Sequence, residues 1–240
     1  MAVDTKPEPT EAMILGSAVD CLTLTPDLWG STMAERPDAD GRTREGKAIL
    51  AAFDPGGRTV IRRKAVEQAQ AIAAAVLSHP SAGRMVAMGE QQVSLIWTDP
   101  ATGVRCKARL DMVLRGRCLA DLKVPQNGAA ASSERWGQYV KTNGLDYQAA
   151  MYHDGWLALT GEDLPWLWFC APSAPPYIAE MVATYEARPS WLDLGRKKYR
   201  RALRLYAWCL EMDQWPGYPE DPVMCDPPLY ALRLEEEDET

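Results

Sequence analysis

Between residues 93 and 124 the hydrophobic period of the chain changes from that of a helix to two, and this constrains the fold most. Val93, Leu95 and Trp97 alternate with polar residues, and Asp99-Pro100-Ala101-Thr102-Gly103 then reads as a turn. In the next run, 104–114, Cys106, Ala108, Leu110, Met112 and Leu114 share one face, with Lys107, Arg109, Asp111 and Val113 on the other. Arg115-Gly116-Arg117 turns the chain into a third run, 118–124. There Cys118, Ala120, Leu122 and Val124 form the apolar face, and Asp121 and Lys123 lie opposite.

Helical spacing surrounds this block. A short buried helix carrying Asp20 is predicted over 12–22, and another over 60–77 with Ala65, Ala69, Ile72 and Val76 in register, closed by Pro80 and Gly83. Residues 26–47 read as a long loop with some short helix. A helix over 145–160 carries Gln148 and Tyr152; strands follow at Trp166–Ala171 and Tyr177–Ala183. The last helix, 190–213, has an apolar stripe at 195, 199, 202, 203, 206, 209 and 210 with basic residues opposite. The sum is an α/β fold with a small mixed central sheet and a β-hairpin, flanked by helices. We expect a loose segment at 1–11, one domain over 12–230 and an acidic tail at 231–240.

Composition excludes several classes. Forty-seven per cent hydrophobic and 25% charged residues are those of an ordinary globular chain. The longest apolar run, Ala12 to Leu24, is broken by Gly16 and Asp20 and falls short of the ~20 residues of a membrane span. Asp4, Glu8 and Glu11 replace the basic start of a secretory signal, so a cytoplasmic location is expected. The net charge of −7 argues mildly against coating nucleic acid through bulk charge, yet Arg196 to Arg204 hold six basic residues and no acid. The six cysteines form no CxxC pair. With His79 and His153 the only histidines, a His-rich metal site or a Ser-His-Asp triad is nearly excluded. Any metal must be held mainly by carboxylates, which points to a hard cation such as Mg²⁺, with Mn²⁺ as a substitute.

If Gly116 is the centre of a three-residue hairpin loop, Asp111 lies directly opposite Asp121, with Lys123 on the same face. Cross-strand Cβ atoms are then roughly 4.5–5.5 Å apart, and two facing carboxylates repel unless a cation joins them. A one-residue slip would separate the pair.

Leu110-Asp111, ten residues, then Asp121-Leu122-Lys123 resembles the PD-(D/E)XK nuclease motif, with leucine in place of the usual proline. The ordered series Thr102 to Asp111, Asp121-Leu122-Lys123 and Tyr147-Gln148-Ala149-Ala150-Met151-Tyr152 is similar to the exonuclease VIII (RecE) group of phage recombination nucleases, relatives of lambda exonuclease. Gly16-Ser17-Ala18-Val19-Asp20, the loop Asp40 to Lys47 and Trp215-Pro216-Gly217-Tyr218 also look like that group, so the resemblance spans about residues 13–218.

The resemblance implies a restriction-endonuclease-like core with a catalytic hairpin, and a Mg²⁺-dependent exonuclease digesting linear double-stranded DNA from its 5′ end. By position, Asp111 and Asp121 would be metal ligands, with the Leu122 carbonyl a third and Glu90 completing the set. Lys123 would orient the attacking water and stabilise phosphate charge. Gln148 and Tyr152, four apart on one helix face, match the QxxxY motif beside the active site; plain helix packing is the other reading. Asp20 stands where such nucleases usually carry a histidine ligand, so it is either a ligand or a paired core residue. The resemblance also implies a homo-oligomeric ring, trimeric or tetrameric, a single-strand annealing protein as partner, and a phage or prophage origin.

Gly41-x-x-x-x-Gly46-Lys47 copies part of a phosphate-binding loop, but Ala48 replaces the Ser/Thr, which disfavours an NTPase. Arg42, Arg44 and Lys47 read better as DNA-backbone contacts, and Arg109 is a further candidate. On the last helix Arg196, Lys197, Lys198, Arg200, Arg201 and Arg204 either track phosphates or form a solvated face. Two alternatives stand beside the exonuclease: a structure-specific or restriction-type endonuclease on the same core, and a catalytically silent DNA-binding recombination accessory protein.

Overall fold

The computed structural model describes residues 8–219 apart from 127, 129 and 131, together with residues 221–227. Residues 1–7 of the expected loose segment and the acidic tail at 231–240 lie outside the described residues.

Helix α1 (Glu11–Leu24) begins at Thr10, whose hydroxyl accepts the Met13 N–H at 3.3 Å. After a short 3-10 turn (Pro26–Leu28) come α2 (Trp29–Thr32), β1 (Met33–Glu35), α3 (Arg44–Ala52) and β2 (Thr59–Ile61). The segment 26–47 is thus less irregular than its composition suggests, because β1 finds a parallel partner in β2, beyond the reach of local pattern. Helices α4 (Arg63–Ser78) and α5 (Pro80–Met88) follow; Pro80 opens α5, where its missing N–H has no helical partner to lose. Then come β3 (Glu90–Thr98), β4 (Arg105–Leu114), β5 (Cys118–Lys123), α6 (Ser133–Asn143), α7 (Leu145–Thr160), β6 (Trp166–Cys170), β7 (Ala183–Glu186) and α8 (Pro189–Met212).

The five-stranded sheet runs in the order β3-β4-β5-β6-β7. Only β5 and β6 are parallel, and α6 and α7 form the long crossover that a parallel pair requires. One core lies between the sheet and α1, α4 and α5, built on Val19, Ile72, Met112, Leu122 and Phe169. The other lies between the sheet and α6–α8, built on Leu110, Leu119, Trp156, Trp166 and Trp168. This is the expected α/β architecture, a small mixed sheet flanked by helices. Among the described residues no helix is long and apolar enough to cross a membrane.

Four local expectations are corrected. Tyr177–Ala183 is not a strand: a 3-10 turn occupies Ala179–Met181, and pairing with β6 starts only at Ala183, where the register Cys170↔Ala183 to Leu167↔Glu186 allows it. Helix α6 was unexpected, because Gly137 and its polar surface mask it. Ser132 caps it by accepting the Arg135 N–H, and Gly144, with φ 67°, ends it. The α8 stripe is buried as expected at Gly195, Tyr199 and Cys209, but Ala202, Tyr206 and Leu210 are exposed, and Leu192, outside the stripe, is buried.

The fourth correction concerns β4. Ala108 and Leu110 face the α6–α8 core, whereas Met112 and Leu114 join the opposite core. Strict alternation would keep them together. The β3–β4 ladder is interrupted between Val93↔Leu110 and Gln91↔Met112, where Gln92 adopts φ 54° across from Asp111. The backbone therefore changes face at the aspartate, as strand irregularities do where a side chain is re-aimed.

Candidate active site

The hairpin register is the one that the turn dictates. Leu114↔Cys118, Val113↔Leu119 and Met112↔Ala120 pair in order, so Asp111 and Asp121 come next across the strands. There the ladder stops. The Asp111 carboxylate accepts the backbone N–H of Leu122 at 2.9 Å, in place of a strand-to-strand bond. Asp121 is buried, and its Oδ1 accepts from Gln148 Nε2 at 3.2 Å. Lys123 forms an ion pair with the other oxygen of Asp121.

Helix α1 brings Asp20 to the same place, although it forms no hydrogen bond or ion pair among the described residues. Burial raises the Asp20 carboxyl from 3.8 to about 7, against Lys123, which lowers it, and with help from Asp121. Burial, followed by the charges of Asp121 and Asp20, holds Asp111 well above the ordinary carboxylate range. For Lys123 burial acts downward, but Asp121, Asp111 and Asp20 outweigh it and the ammonium is stabilised. The result is a carboxylate pair beside one ammonium, with Asp20 near enough for its charge to act on both.

The sequence-derived set divides on this geometry. Asp20, Asp111, Asp121, Lys123 and Gln148 are brought together. Tyr152 lies one helical turn beyond Gln148 on α7; burial raises its phenol's pKa, and the Asp121 charge acts in the same direction. Leu122 contributes its N–H to Asp111 while its side chain sits in the core. Glu90 is not brought to the cluster: both of its oxygens are taken by Arg115 at the hairpin turn, the second at 3.0 Å, and the pair is exposed. Position alone could not show this, because Glu90 pairs with Val113, two residues beyond Asp111.

Arg109 donates to Gln92 beside the site and also lowers the Asp20 pKa. Arg42 is exposed and tied to Asp40 at 3.1 Å; Arg44 and Lys47 are exposed on α3. Gly46 has a structural reason of its own, since a Cβ there would lie 2.1 Å from the Asp40 carbonyl oxygen. On α8, Arg196 and Arg200 are paired with Asp154, and Lys198 with the fully buried Asp146, so these three hold α8 against α7. Lys197, Arg201 and Arg204 are exposed.

Sequence reasoning missed Tyr139 and the Asp154 cluster. Tyr139 stacks on Trp136, which stacks in turn on Tyr185, and burial raises its phenol's pKa against the Lys123 charge, which lowers it. The spacing of Trp136 and Val140 was the available signal. Asp154 accepts from Tyr199 at 2.5 Å and from Arg196 at 2.9 Å. Burial alone would raise Asp154, but hydrogen bonds from His153, Tyr199 and Arg196 bring it down to about 2.

A family described as a PDDEXK-like domain of unknown function (DUF3799) matches residues 1–228, nearly the whole chain. The chain belongs to this family. In this chain the geometry brings two acids and a lysine, Asp111, Asp121 and Lys123, to one place. The crystal structure of a candidate exonuclease from Eubacterium rectale is similar to this PDDEXK-like chain, with a TM-score of 0.54 and 17% identity, covering 90% of this chain and 79% of that one. At that identity the likeness shows the fold. Among curated proteins, none matches.

PDDEXK-like nucleases use divalent metals, and the donors of this site suit one. Burial first, and then the neighbouring carboxylates, raise Asp111 and Asp20, and a hard cation with oxygen ligands offsets both. Asp111 and Asp121 are the donors at hand; among the described residues no three acidic, histidine or cysteine side chains stand close enough to enclose an ion by themselves. Water and substrate phosphate oxygens would supply the remaining ligands, as is usual for Mg²⁺.

Proposed function

We propose that this PDDEXK-like protein is a Mg²⁺-dependent exodeoxyribonuclease that hydrolyses linear double-stranded DNA, in the 5′-to-3′ sense, within phage-type recombination. The observation that carries the hydrolytic reading is the pairing of Asp111 and Asp121 across the hairpin with Lys123 beside them. A bound divalent cation supplies Lewis-acid polarisation of the scissile phosphate and a more acidic water. Asp111 and Asp121 would hold that cation, Asp111 being aimed by the Leu122 N–H and Asp121 by Gln148. Lys123 places a full positive charge where the phosphate gains negative charge, in a site dry enough for that charge to act strongly. Gln148, through its bond to Oδ1, keeps the Asp121 carboxylate from turning toward solvent.

The cation, the polarity of digestion and the recombination role are parts of this reading. So are a cytoplasmic site of action, a ring of copies and an annealing-protein partner; the exposed Leu205, Trp208, Leu210 and Met212 on α8 give a ring an apolar face to cover. The test is a time course on 5′-phosphorylated, end-labelled linear duplex with Mg²⁺, with EDTA and with a closed circular duplex. Mononucleotide release from linear DNA in Mg²⁺ only is expected. Cutting of the circle would favour an endonuclease, and duplex binding without cleavage would favour an accessory protein.

A further inference from the structure

The catalytic cluster leaves unused two grooves that meet at Gln126, three residues beyond Lys123. The first, about 620 Å³, runs between α1 and the β2–α4 junction. Ile14, Leu15, Val60 and Ala65 line its apolar part, and Arg36, Arg62 and Lys64 its charged part. Glu11 is the one acid in the lining and is paired with Arg62 at 3.4 Å. Arg36 and Lys64 have no acidic partner within ion-pair distance among the described residues. In a chain with net charge −7, three basic groups against one acid invert the local sign. The second groove, about 570 Å³, lies along α6; its one acid, Glu134, is matched by Arg135, and the rest of its lining, Gln126, Gln138, Tyr139, Thr142 and Asn143, is uncharged. Stacking on Trp136 fixes the Tyr139 ring.

We propose that the two grooves form one track for a single DNA strand passing Gln126, three residues beyond Lys123, with phosphates on Arg36 and Lys64 and a base against Tyr139. The inference rests on the nuclease reading and adds to it a strand-selective site. Basic groups alone would serve a duplex equally well, since a duplex offers its phosphates outward. Apolar lining and an aromatic ring serve only unstacked bases, whose faces a duplex hides. A basic groove that also carries such surfaces is what single-strand binding uses.

The test is fluorescence anisotropy with a labelled thymidine oligonucleotide and a blunt duplex hairpin, in EDTA so that nothing is cut. Arg36→Gln/Lys64→Gln is expected to weaken oligonucleotide binding about tenfold. It should also lower the log–log salt slope by about 1.4, at ~0.7 per phosphate contact on a single strand. Hairpin binding should change less than about twofold. Tyr139→Ala should weaken the oligonucleotide about tenfold, with Tyr139→Phe restoring it by keeping the ring. Equal losses on both ligands would overturn the track in favour of a general basic surface; unchanged oligonucleotide binding, or none in the wild type, would overturn it outright. A wild type that cuts duplex while its variants bind oligonucleotide normally retains the nuclease reading without the track. The converse result, selective binding without cutting, retains the track without the nuclease.

Discussion

Asp111 accepts the backbone N–H of Leu122 at 2.9 Å, so a catalytic-type carboxylate replaces the strand-to-strand bond where β4 and β5 part. The bond aims the carboxylate and satisfies a donor that would otherwise be orphaned. It also separates two substitutions that charge alone would make equivalent. Asp111→Asn keeps an acceptor for Leu122 and removes one of three crowded charges; metal-free stability should be equal to or above wild type. Asp111→Ala leaves the N–H unpaired, at about 1–3 kcal/mol. Both should lose duplex cleavage by at least about 100-fold, and urea unfolding in EDTA reads the difference.

Lys123 is the one ammonium among Asp20, Asp111 and Asp121. Lys123→Ala should cut the cleavage rate by about 10²–10³-fold, the scale for losing one preorganised stabilising charge. It also leaves the carboxylates uncompensated, so thermal stability in EDTA should fall, and Mg²⁺ should restore more of it than in wild type. A stability indifferent to Mg²⁺ in both proteins would remove the metal from this site.

The pH dependence of the metal-free protein follows from Asp20 and Asp111. Burial first, then Asp121, set Asp20 at about 7 in the folded state against an ordinary 3.8, and Asp111 moves in the same direction. A folded carboxyl that holds its proton more tightly than the unfolded chain stabilises fully below about pH 4. That stabilisation is lost as pH rises through about 7. In EDTA the Tm should therefore drop between pH 5 and pH 8, on the order of 5 °C. Asp20→Asn should flatten the profile, and a Tm that rises across that range in the wild type would contradict the burial of these acids.

Gln148 donates to Asp121 at 3.2 Å from a helix of the opposite layer. Gln148→Ala should lower kcat by about tenfold while leaving unfolding within about 1 kcal/mol of wild type, since Gln148 is half-buried and packs little apolar surface. Steady-state kinetics on linear duplex, beside a denaturant titration, separates this from plain helix packing, which would move stability instead.

The α7–α8 contact is where a single methyl group should matter most. A Cβ at Gly195 would lie 2.1 Å from the Asp146 carbonyl oxygen and 2.8 Å from the Ala150 Cβ. Gly195→Ala should destabilise the protein by about 1–3 kcal/mol, as overpacking does, because backbone on one side cannot yield. Gly217→Ala, with open space around it, should be silent in the same thermal assay.

The sequence by itself determined the hairpin and what it carries. Alternation around Arg115-Gly116-Arg117 sets a register in which Asp111 and Asp121 follow Met112↔Ala120, and Lys123 shares the Asp121 face; these are local consequences of turn length and a period of two. The spacing of Gln148 and Tyr152 was legible for the same reason. Tertiary structure alone decided the rest, because it depends on contacts between distant segments. The bend opposite Gln92 moves Met112 into the other core, α1 delivers Asp20, Arg115 draws Glu90 away, and β2 gives β1 its partner. Whether Arg196, Lys198 and Arg200 meet solvent or buried acids was likewise settled by α7, since a helix face has no fixed role until something packs against it.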